Sequence, residues 1–196
     1  INGTAYKQGE ILTATQDSET FNEAHWLKRV RYTDDTAVNE LEIGGRNLLL
    51  NSNFSNGTKH WAASGDNSIT LTEDGLECEI GRETALHPRQ NITVSINPNE
   101  SLVSTVIMKI EVGNEDNIRA QFLGTANIVF TPVKRVEIGD GWYKLIGIYT
   151  NGSTARTVSS IFGLFGFSNG DKFSVKSFKL EKGNKATDWT PAPEDV

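Results

Sequence analysis

The chain has 196 residues, of which 37% are hydrophobic and 22% charged, and its formal net charge is −6. This composition is enough to bury one sizeable core, so we expect one main domain with some chain to spare. The acidic charge argues against nucleic acid as a partner, because affinity for a phosphate backbone needs clustered Lys and Arg. No apolar run approaches the roughly 20 residues of a membrane helix, so we expect no membrane partner either.

Residues Ile1 to Ile43 differ in pattern from the rest, and we predict a small N-terminal β-rich element followed by a linker. One strand is expected at Glu10–Ala14. The apolar residues after it have spacings that suit a helix and a strand nearly equally. The acidic stretch Asp34–Glu42, which ends at Gly44-Gly45, is the predicted linker.

From residue 44 to residue 196 the pattern predicts a single all-β domain, a two-sheet antiparallel β-sandwich. Short apolar or alternating runs are separated by Gly, Asn and Asp, which are typical turn residues. Strands are predicted at Leu48–Leu50, Ser68–Thr72, Leu76–Ile80, Asn91–Ser95, Leu102–Val112, Ile118–Leu123, Val133–Ile138, Trp142–Thr150, Val158–Phe167 and Phe173–Glu181.

Cys78 is the only cysteine, which excludes an internal disulfide and leaves too few sulfur ligands for a structural zinc site. It alternates with Glu77 and Glu79 in a period of two. That period places the thiol inside the sandwich and the two acids outside. We therefore interpret Cys78 as a small core residue and not as a nucleophile.

The run SLVSTVIMKIEV is apolar on both faces through its middle, which is typical of a strand at the centre of a sheet. Its predicted neighbour is GWYKLIGIYT, where Trp142 and Lys144 share one face and Tyr143 and Tyr149 the other. The turn Gly139-Asp140-Gly141 before this run and Asn151-Gly152 after it both fit hairpin chemistry.

Three stretches together resemble jelly-roll carbohydrate-binding modules of phage tail and baseplate proteins that infect Gram-positive bacteria. They are the opening N-L-L-x-N-x-x-F from Asn47 to Phe54 with the later Trp61, the strand GDGWYK from Gly139 to Lys144, and the closing KLEKGNKATDWTPAPED from Lys179 to Asp195. In such a fold the first and last strands run close together, so Phe54 and Trp61 are expected to close one end of the core. Trp189 either pins the tail onto the sandwich or faces a neighbouring subunit.

A sugar site needs aromatic faces for the apolar side of the ring and planar polar groups for its hydroxyls. In related jelly rolls this surface lies on a concave sheet or in the loops at its edge. The candidate ligand-binding residues here are Arg119 and Gln121, which share one face of their strand, with Lys109 flanking them if the two strands pair. Tyr143 and Tyr149 are the aromatic candidates.

We predict no cofactor and no metal. The resemblance implies a structural calcium with a Glu just after the motif phenylalanine, but Ser55 stands at that position. Asp66, Asn67 and Asp74 supply oxygen atoms nearby, although scattered loop acids are usually only loop acids.

Catalysis is not predicted. No pair of carboxylates has a spacing that nominates it for glycoside hydrolysis, and no serine lies in a G-x-S-x-G turn. His87, in ALHPRQN, is expected in a loop with a surface role.

Three functional hypotheses follow. The first is a non-catalytic module of a virion, located on the phage tail or baseplate, that binds host cell-wall polysaccharide and assists adsorption. The second is a structural spacer or assembly domain that contacts other phage tail or baseplate proteins. The third is an ancillary binding domain of a cell-wall hydrolase.

Overall fold

The computed structural model describes residues 45–82, 86–114, 116–123 and 128–196. The predicted N-terminal element and linker, residues 1–43, lie outside the described residues. The sandwich unit spans Gly44–Val196.

The described part of the chain is all-β, as the sequence pattern predicts. Its nine strands are β1 Ser68–Thr72, β2 Gly75–Glu79, β3 Arg89–Ile96, β4 Ser101–Val112, β5 Arg119–Leu123, β6 Thr131–Gly139, β7 Trp142–Thr150, β8 Arg156–Phe165 and β9 Lys172–Lys182. One short 3-10 helix, Pro193–Asp195, follows them. Within the described ranges no helix has the length and apolarity to cross a membrane.

The strands form two antiparallel sheets. The large sheet has the order β1-β2-β9-β4-β7-β6, and the small sheet has the order β3-β8-β5. The pairs β2 with β9, β3 with β8 and β4 with β7 are nested in the chain and alternate between the two sheets. This nesting is the topology of a jelly roll, so the predicted two-sheet sandwich is confirmed.

The core lies between the two sheets and is rich in phenylalanine. Phe122 and Phe162 reach it from the small sheet and Phe173 and Phe178 from the large one, and all four are fully buried. Phe162 meets Phe178 edge to face with 6.2 Å between ring centroids, so it joins the two layers directly. These residues define the inner face of each sheet.

The predicted pairing of β4 with β7 is confirmed. β4 lies between β9 and β7, and its residue Met108 pairs with Tyr143. The β6–β7 turn has positive φ at Gly139, Asp140 and Gly141, as hairpin chemistry requires. Cys78 is fully buried, as predicted, and its burial raises the pKa of the thiol.

Two local predictions are wrong. Asn151-Gly152 does not close a hairpin, because β8 lies in the other sheet; the buried Asn151 side chain instead donates to the carbonyls of Asn97 and Thr154. Leu48–Leu50 is a turn and not a strand. Leu48 N donates to the carbonyl of Leu180 on β9, but the next two amides are bonded by side chains: Leu49 N donates to Asn47 Oδ1, and Leu50 N donates to Gln90 Oε1.

Asn47 joins the beginning of the sandwich to its end. Its Nδ2 donates to Ser52 Oγ and to the carbonyls of Phe178 and Thr190, and its Oδ1 accepts from the backbone of Leu49 and Leu180. The residue is fully buried, so these five bonds replace all contact with water. We call the segments Arg46–Ser52 and Thr187–Asp195, with the groups that join them, the terminal clasp.

The motif tryptophans belong to this region. Trp61 stacks on Phe178 at a centroid distance of 4.6 Å, and its Nε1 donates to the carbonyl of Asn51. Trp189 Nε1 donates to Ser52 Oγ and to the carbonyl of Phe178. Phe54 and Trp61 therefore close one end of the core as expected, and Trp189 pins the tail onto the sandwich.

A buried ion pair completes the clasp. Lys179 and Glu181 lie on the outer face of β9 with 3.2 Å between Nζ and Oε2, and both side chains are almost fully buried. Glu181 accepts from the backbone N and the hydroxyl of Thr187, while Lys179 donates to the carbonyl of Asp188. The attraction between two buried charges does not by itself offset their loss of water, and these hydrogen bonds satisfy the remaining polar atoms of the pair.

Candidate functional site

The five predicted ligand-binding residues lie on three different surfaces. Residues that pair across antiparallel strands point to the same side of a sheet. Ala120 and Phe122 belong to the core, so Arg119 and Gln121, which alternate with them, face outward from the small sheet.

The two tyrosines lie on the inner face of the large sheet. Tyr143 is only 3% exposed, and Tyr149 packs against the core with its ring edge to face on Phe130 at 6.3 Å. Neither ring faces the side of the sandwich that holds Arg119 and Gln121.

Lys109 occupies a third surface, the outer face of the large sheet. It lies on β4, which pairs with β7 and β9 and not with β5. The pairing that would bring Lys109 beside Arg119 is therefore wrong, because the two strands belong to different sheets.

The structure has one open concavity close to Gln121, a groove of about 480 Å³ on the small sheet, which we call the outer groove. Its volume is within the range of small-ligand sites. Residues with a hydroxyl or an amide line it together with three aliphatic residues, of which Ile92 packs its side chain against the core. The lining residues are Asn91, Ile92, Thr93, Leu123, Ser159, Ser160 and Ile161.

The strand register explains why these residues meet. Asn91 pairs with Ile161, which pairs on its other side with Leu123, so the three form one row across the sheet. Thr93 and Ser159 form the next row, and their hydroxyl oxygens are 2.9 Å apart. The groove thus has a mostly aliphatic row, with Asn91 at its β3 end, beside a hydroxyl row.

The groove is open because β5 ends early. The last residue of β5, Leu123, pairs with Ile161, so β8 continues from Ser160 to Arg156 with β3 on one side only among the described strands. The peptide groups along that free edge can donate and accept hydrogen bonds. At the opposite end the outer face is covered at Gly163, where a Cβ would lie 2.6 Å from the carbonyl of Pro88.

The small sheet also has a distinct charge. Its three strands contain Arg89, Arg119 and Arg156 and no acidic residue, although the whole chain has a net charge of −6. Arg119 lies over Phe165 with its Cζ 4.7 Å from the ring centroid, and it donates to the carbonyl of Asn117. A hydroxylated or anionic ligand in the groove would meet no carboxylate on these strands.

The residues that line the groove include no carboxylate, imidazole or thiol. Acid, base and nucleophile chemistry need such groups beside the ligand. What the lining can do is hydrogen-bond with its hydroxyls and amide and contact apolar surface with Leu123, which is 38% exposed.

His87 does not have the predicted surface role. It is fully buried, and its Nε2 donates to the carbonyl of Ser68 over 2.9 Å, so Nδ1 is the unprotonated nitrogen. Burial lowers the pKa of His87 from 6.5 to about 4; the Ser68 carbonyl opposes this shift, and the positive charge of Arg89 adds to it. The imidazole fills a packed site against Phe173 and does not face the groove.

One of the three loop residues considered for calcium, Asn67, has another role. Asn67 Oδ1 accepts from the backbone of Gly81 and Arg82, each over 2.8 Å, so it fixes a turn. In the described ranges there is no group of three or more His, Cys, Asp or Glu side chains that could hold a metal ion.

Sequence reasoning missed Asn91, Thr93 and Ser159. One signal was present: in RQNITVSI every second residue is small, polar and uncharged, and RTVSSIF repeats this at Thr157 and Ser159. That alternation marks a solvent-facing side that differs from the Lys- and Glu-rich outer sides of other strands. The alternation does not predict that β3 and β8 are neighbouring strands.

No protein-family model matches the sequence, and no curated protein is similar to it. Among solved structures, a xylan-binding domain from Paenibacillus barcinonensis is 16% identical, with 74% of this chain and 99% of that chain covered and a TM-score of 0.48. A putative sugar-binding protein from Bacteroides thetaiotaomicron is 12% identical over 70% of this chain and 100% of that one, with a TM-score of 0.46.

The tripod from the baseplate of bacteriophage Tuc2009 is 13% identical, with 78% of this chain and 60% of that chain covered and a TM-score of 0.37. Similarity at these levels assigns neither a ligand nor a biological role to this chain.

Proposed function

We propose that the sandwich is a non-catalytic carbohydrate-binding module and that a saccharide chain binds in the outer groove. The observation that carries this proposal is the lining of the groove, where a row of hydroxyls lies beside an aliphatic row on an open, acid-free face. A sugar ring has the matching two-sided character, with hydroxyls at its rim and C–H groups on its faces.

The groove offers no aromatic ring among its described lining residues, so each contact is modest. Net hydrogen bonds contribute about 1 kcal/mol each, and an open groove leaves much of a ligand in water. A single site of this type binds weakly. Display of many copies compensates, because each further contact is made at high effective concentration.

The setting that we propose is a virion: the tail or baseplate of a phage whose Gram-positive host carries the saccharide in its cell wall. Support comes from the motif set that runs from Asn47 to Asp195. In this setting the module works outside the cell at the host surface and assists adsorption. Arg119 and Gln121 lie on the same outer face of β5 as Leu123, but Gln121 pairs with the covered Gly163 and is only 9% exposed, so the proposed site ends at Leu123.

Binding of the tagged full chain to intact Gram-positive cells tests the proposal, with cells stripped of wall polysaccharide as the control. The informative variant is Ser159→Trp, which fills the groove from an exposed position. Its matched control is Thr157→Trp, because Thr157 is exposed on the same face of the same strand but does not line the groove.

We expect binding that is lost on stripping, lost in Ser159→Trp and kept in Thr157→Trp. Equal binding by the two variants would place any saccharide site elsewhere. No binding by the wild-type chain, even when it is multimerised to supply avidity, would overturn the adhesion function.

One observation favours the structural spacer as a second candidate. β6 is an edge strand of the large sheet, and it exposes Val133 by 57% and Ile138 by 49%. Apolar side chains on a free edge are suited to pairing with another tail or baseplate protein. Under this candidate, substitutions on β6 would abolish assembly while both groove variants remain assembly-competent.

A further inference from the structure

The outer face of the large sheet carries a second distinctive surface, on the opposite side of the sandwich from the outer groove. Its centre is Trp142 on β7, which points away from the core because it alternates with the inward-facing Tyr143. Three lysines surround it: Lys109 on β4, Lys144 on β7 and Lys176 on β9. We call these four residues the lysine face.

The register brings the three lysines together. Ile107 of β4 pairs with Lys144, and Met108 pairs with Tyr143, so Lys109 is next to Trp142. Lys176 occupies the β9 irregularity between the partners of Ile107 and Met108. Its Nζ lies 4.0 Å from the centroid of the Trp142 ring.

Packing holds these ammonium groups in place. Lys176 makes a cation–π contact with an indole that is only 5% exposed. A Cβ placed on Gly141 would lie 3.4 Å from Cε of Lys109, so the stem of Lys109 packs against the β6–β7 turn. Side chains that are already ordered lose less entropy when a ligand binds.

The charges of the lysine face are not neutralised within the described part of the chain. The lysines with an acidic partner there are Lys172, Lys179 and Lys182. The acid closest along β4, Glu111, accepts a hydrogen bond of 2.6 Å from Ser174, which directs its carboxylate towards β9. Two further acids lie beside this surface: Asp140 in the β6–β7 turn, and Glu77 on β2, which is in the same cross-strand row as Ser174 and Lys109.

We propose that the lysine face binds an anionic glycan, a chain that carries phosphate or carboxylate groups along its length. Three lysines at neighbouring strand positions, one of them over the indole, suit a slender polymer with repeated single charges. A nucleic acid presents a broader and denser field of charge and needs a larger basic surface than three lysines provide. This site is separate from the outer groove and does not rest on the function proposed for it.

The test is a titration of the full chain with poly(glycerol phosphate), with polygalacturonate as the carboxylate arm and neutral dextran as the uncharged control. The variant is Lys109→Gln with Lys144→Gln. The matched control is Lys59→Gln with Lys185→Gln, which removes the same charge from two exposed positions outside the lysine face. The chain has four tryptophans, so the emission of Trp142, over which Lys176 lies, is obtained by comparison with Trp142→Phe.

We expect both anionic polymers, or one of them, to bind and dextran not to bind; the arm that binds identifies the phosphate or carboxylate chemistry. Lys109→Gln with Lys144→Gln should weaken binding on the order of tenfold. It should also reduce the slope of log affinity against log salt concentration by about two, because two charges are removed. The control pair should change neither quantity. Lys176→Gln should remove the emission response. Ser159→Trp should leave polymer affinity unchanged, which separates this site from the groove.

Three results would overturn the proposal. Dextran could bind as well as the anionic polymers, or the control pair could lose as much affinity as the face variant. A single-stranded oligonucleotide of equal charge could also bind as tightly as the glycans, with the same sensitivity to Lys109 and Lys144. That last result would make the surface a general polyanion site.

Discussion

The terminal clasp and the outer groove use the same kinds of polar side chain in opposite ways. In the clasp, Asn47 is buried and makes five hydrogen bonds within the protein. In the groove, Asn91 is exposed and Ser159 has Thr93 as its one side-chain hydrogen-bond partner among the described residues. A polar group that is satisfied inside the fold contributes to stability, whereas an exposed one remains available to a ligand.

This difference separates the recognisable motif from the proposed function. Asn47 and Asn51 of the opening motif and Trp189 of the closing motif go into the clasp, where they join the two ends of the sandwich. The residues of the groove belong to no motif. A sequence signature of this type therefore identifies a scaffold, and the ligand must be sought on surfaces that the signature does not mark.

The largest effect is expected from Asn47→Ala. It leaves the groups around it buried without partners, so the free energy of unfolding should fall by about 4 kcal/mol. Chemical denaturation measures this loss. Asn53→Ala is the matched control in the same turn, since Asn53 is exposed, and it should cost under about 0.5 kcal/mol. Equal losses in the two variants would mean that the buried hydrogen bonds of Asn47 contribute no more to stability than an exposed asparagine does.

Lys179→Met should be the next most damaging change. It leaves Glu181 charged and buried without its ammonium partner, and breaking such a pair costs about 3 kcal/mol. Lys172→Met removes an exposed pair with Glu79 and should cost under about 1 kcal/mol. Thermal unfolding of the two variants side by side measures the contrast. A similar melting temperature for both would contradict the role of the buried pair.

His87 predicts a dependence of stability on pH. The folded protein holds the imidazole neutral with a pKa of about 4 against 6.5 when unfolded, so the unfolded state takes up more protons between these values. Its contribution is present above pH 6.5 and is lost as the pH falls towards 4. From about pH 7.5 to about pH 5 the loss should be about 2 kcal/mol.

Denaturation curves of wild type and His87→Gln over this range isolate the contribution of the imidazole. The variant should lack this part of the pH dependence. Parallel curves for the two proteins would show that His87 is not the responsible group.

The smallest stability change is expected in the groove. Ser159→Ala removes one hydroxyl of an exposed pair, so the free energy of unfolding should change by less than about 0.5 kcal/mol. Saccharide affinity should nevertheless fall severalfold, by about 1 kcal/mol, because a hydrogen bond to the ligand is lost. Calorimetry on the folded variant checks both values. If Ser159→Ala lowered the free energy of unfolding but not the saccharide affinity, Ser159 would be a structural residue like those of the clasp and not a binding residue.

Much of the fold follows from local pattern. The strands Ser68–Thr72 and Trp142–Thr150 have the bounds that alternation and turn residues predict. Leu48–Leu50 does not follow, because side-chain bonds from Asn47 and Gln90 replace a strand ladder there. An apolar triplet alone does not reveal such competition.

The candidate site could not be predicted because it depends on contacts between distant residues. Asn91 meets Ile161 only through the β3–β8 pairing, which no local pattern specifies. His87 was misjudged for the same reason: its segment looks like a polar loop, but its backbone N donates to the carbonyl of Leu164 and draws the imidazole inside.

The clasp also has a mechanical consequence. Arg46 and Glu194 form an ion pair of 2.7 Å, so the polypeptide enters and leaves the sandwich at nearly the same point. Tension applied to both ends would load the junction around Asn47 and Trp189 first and would reach the two sheets only after this junction opens. The groove would then keep its shape under a pull that the junction alone resists.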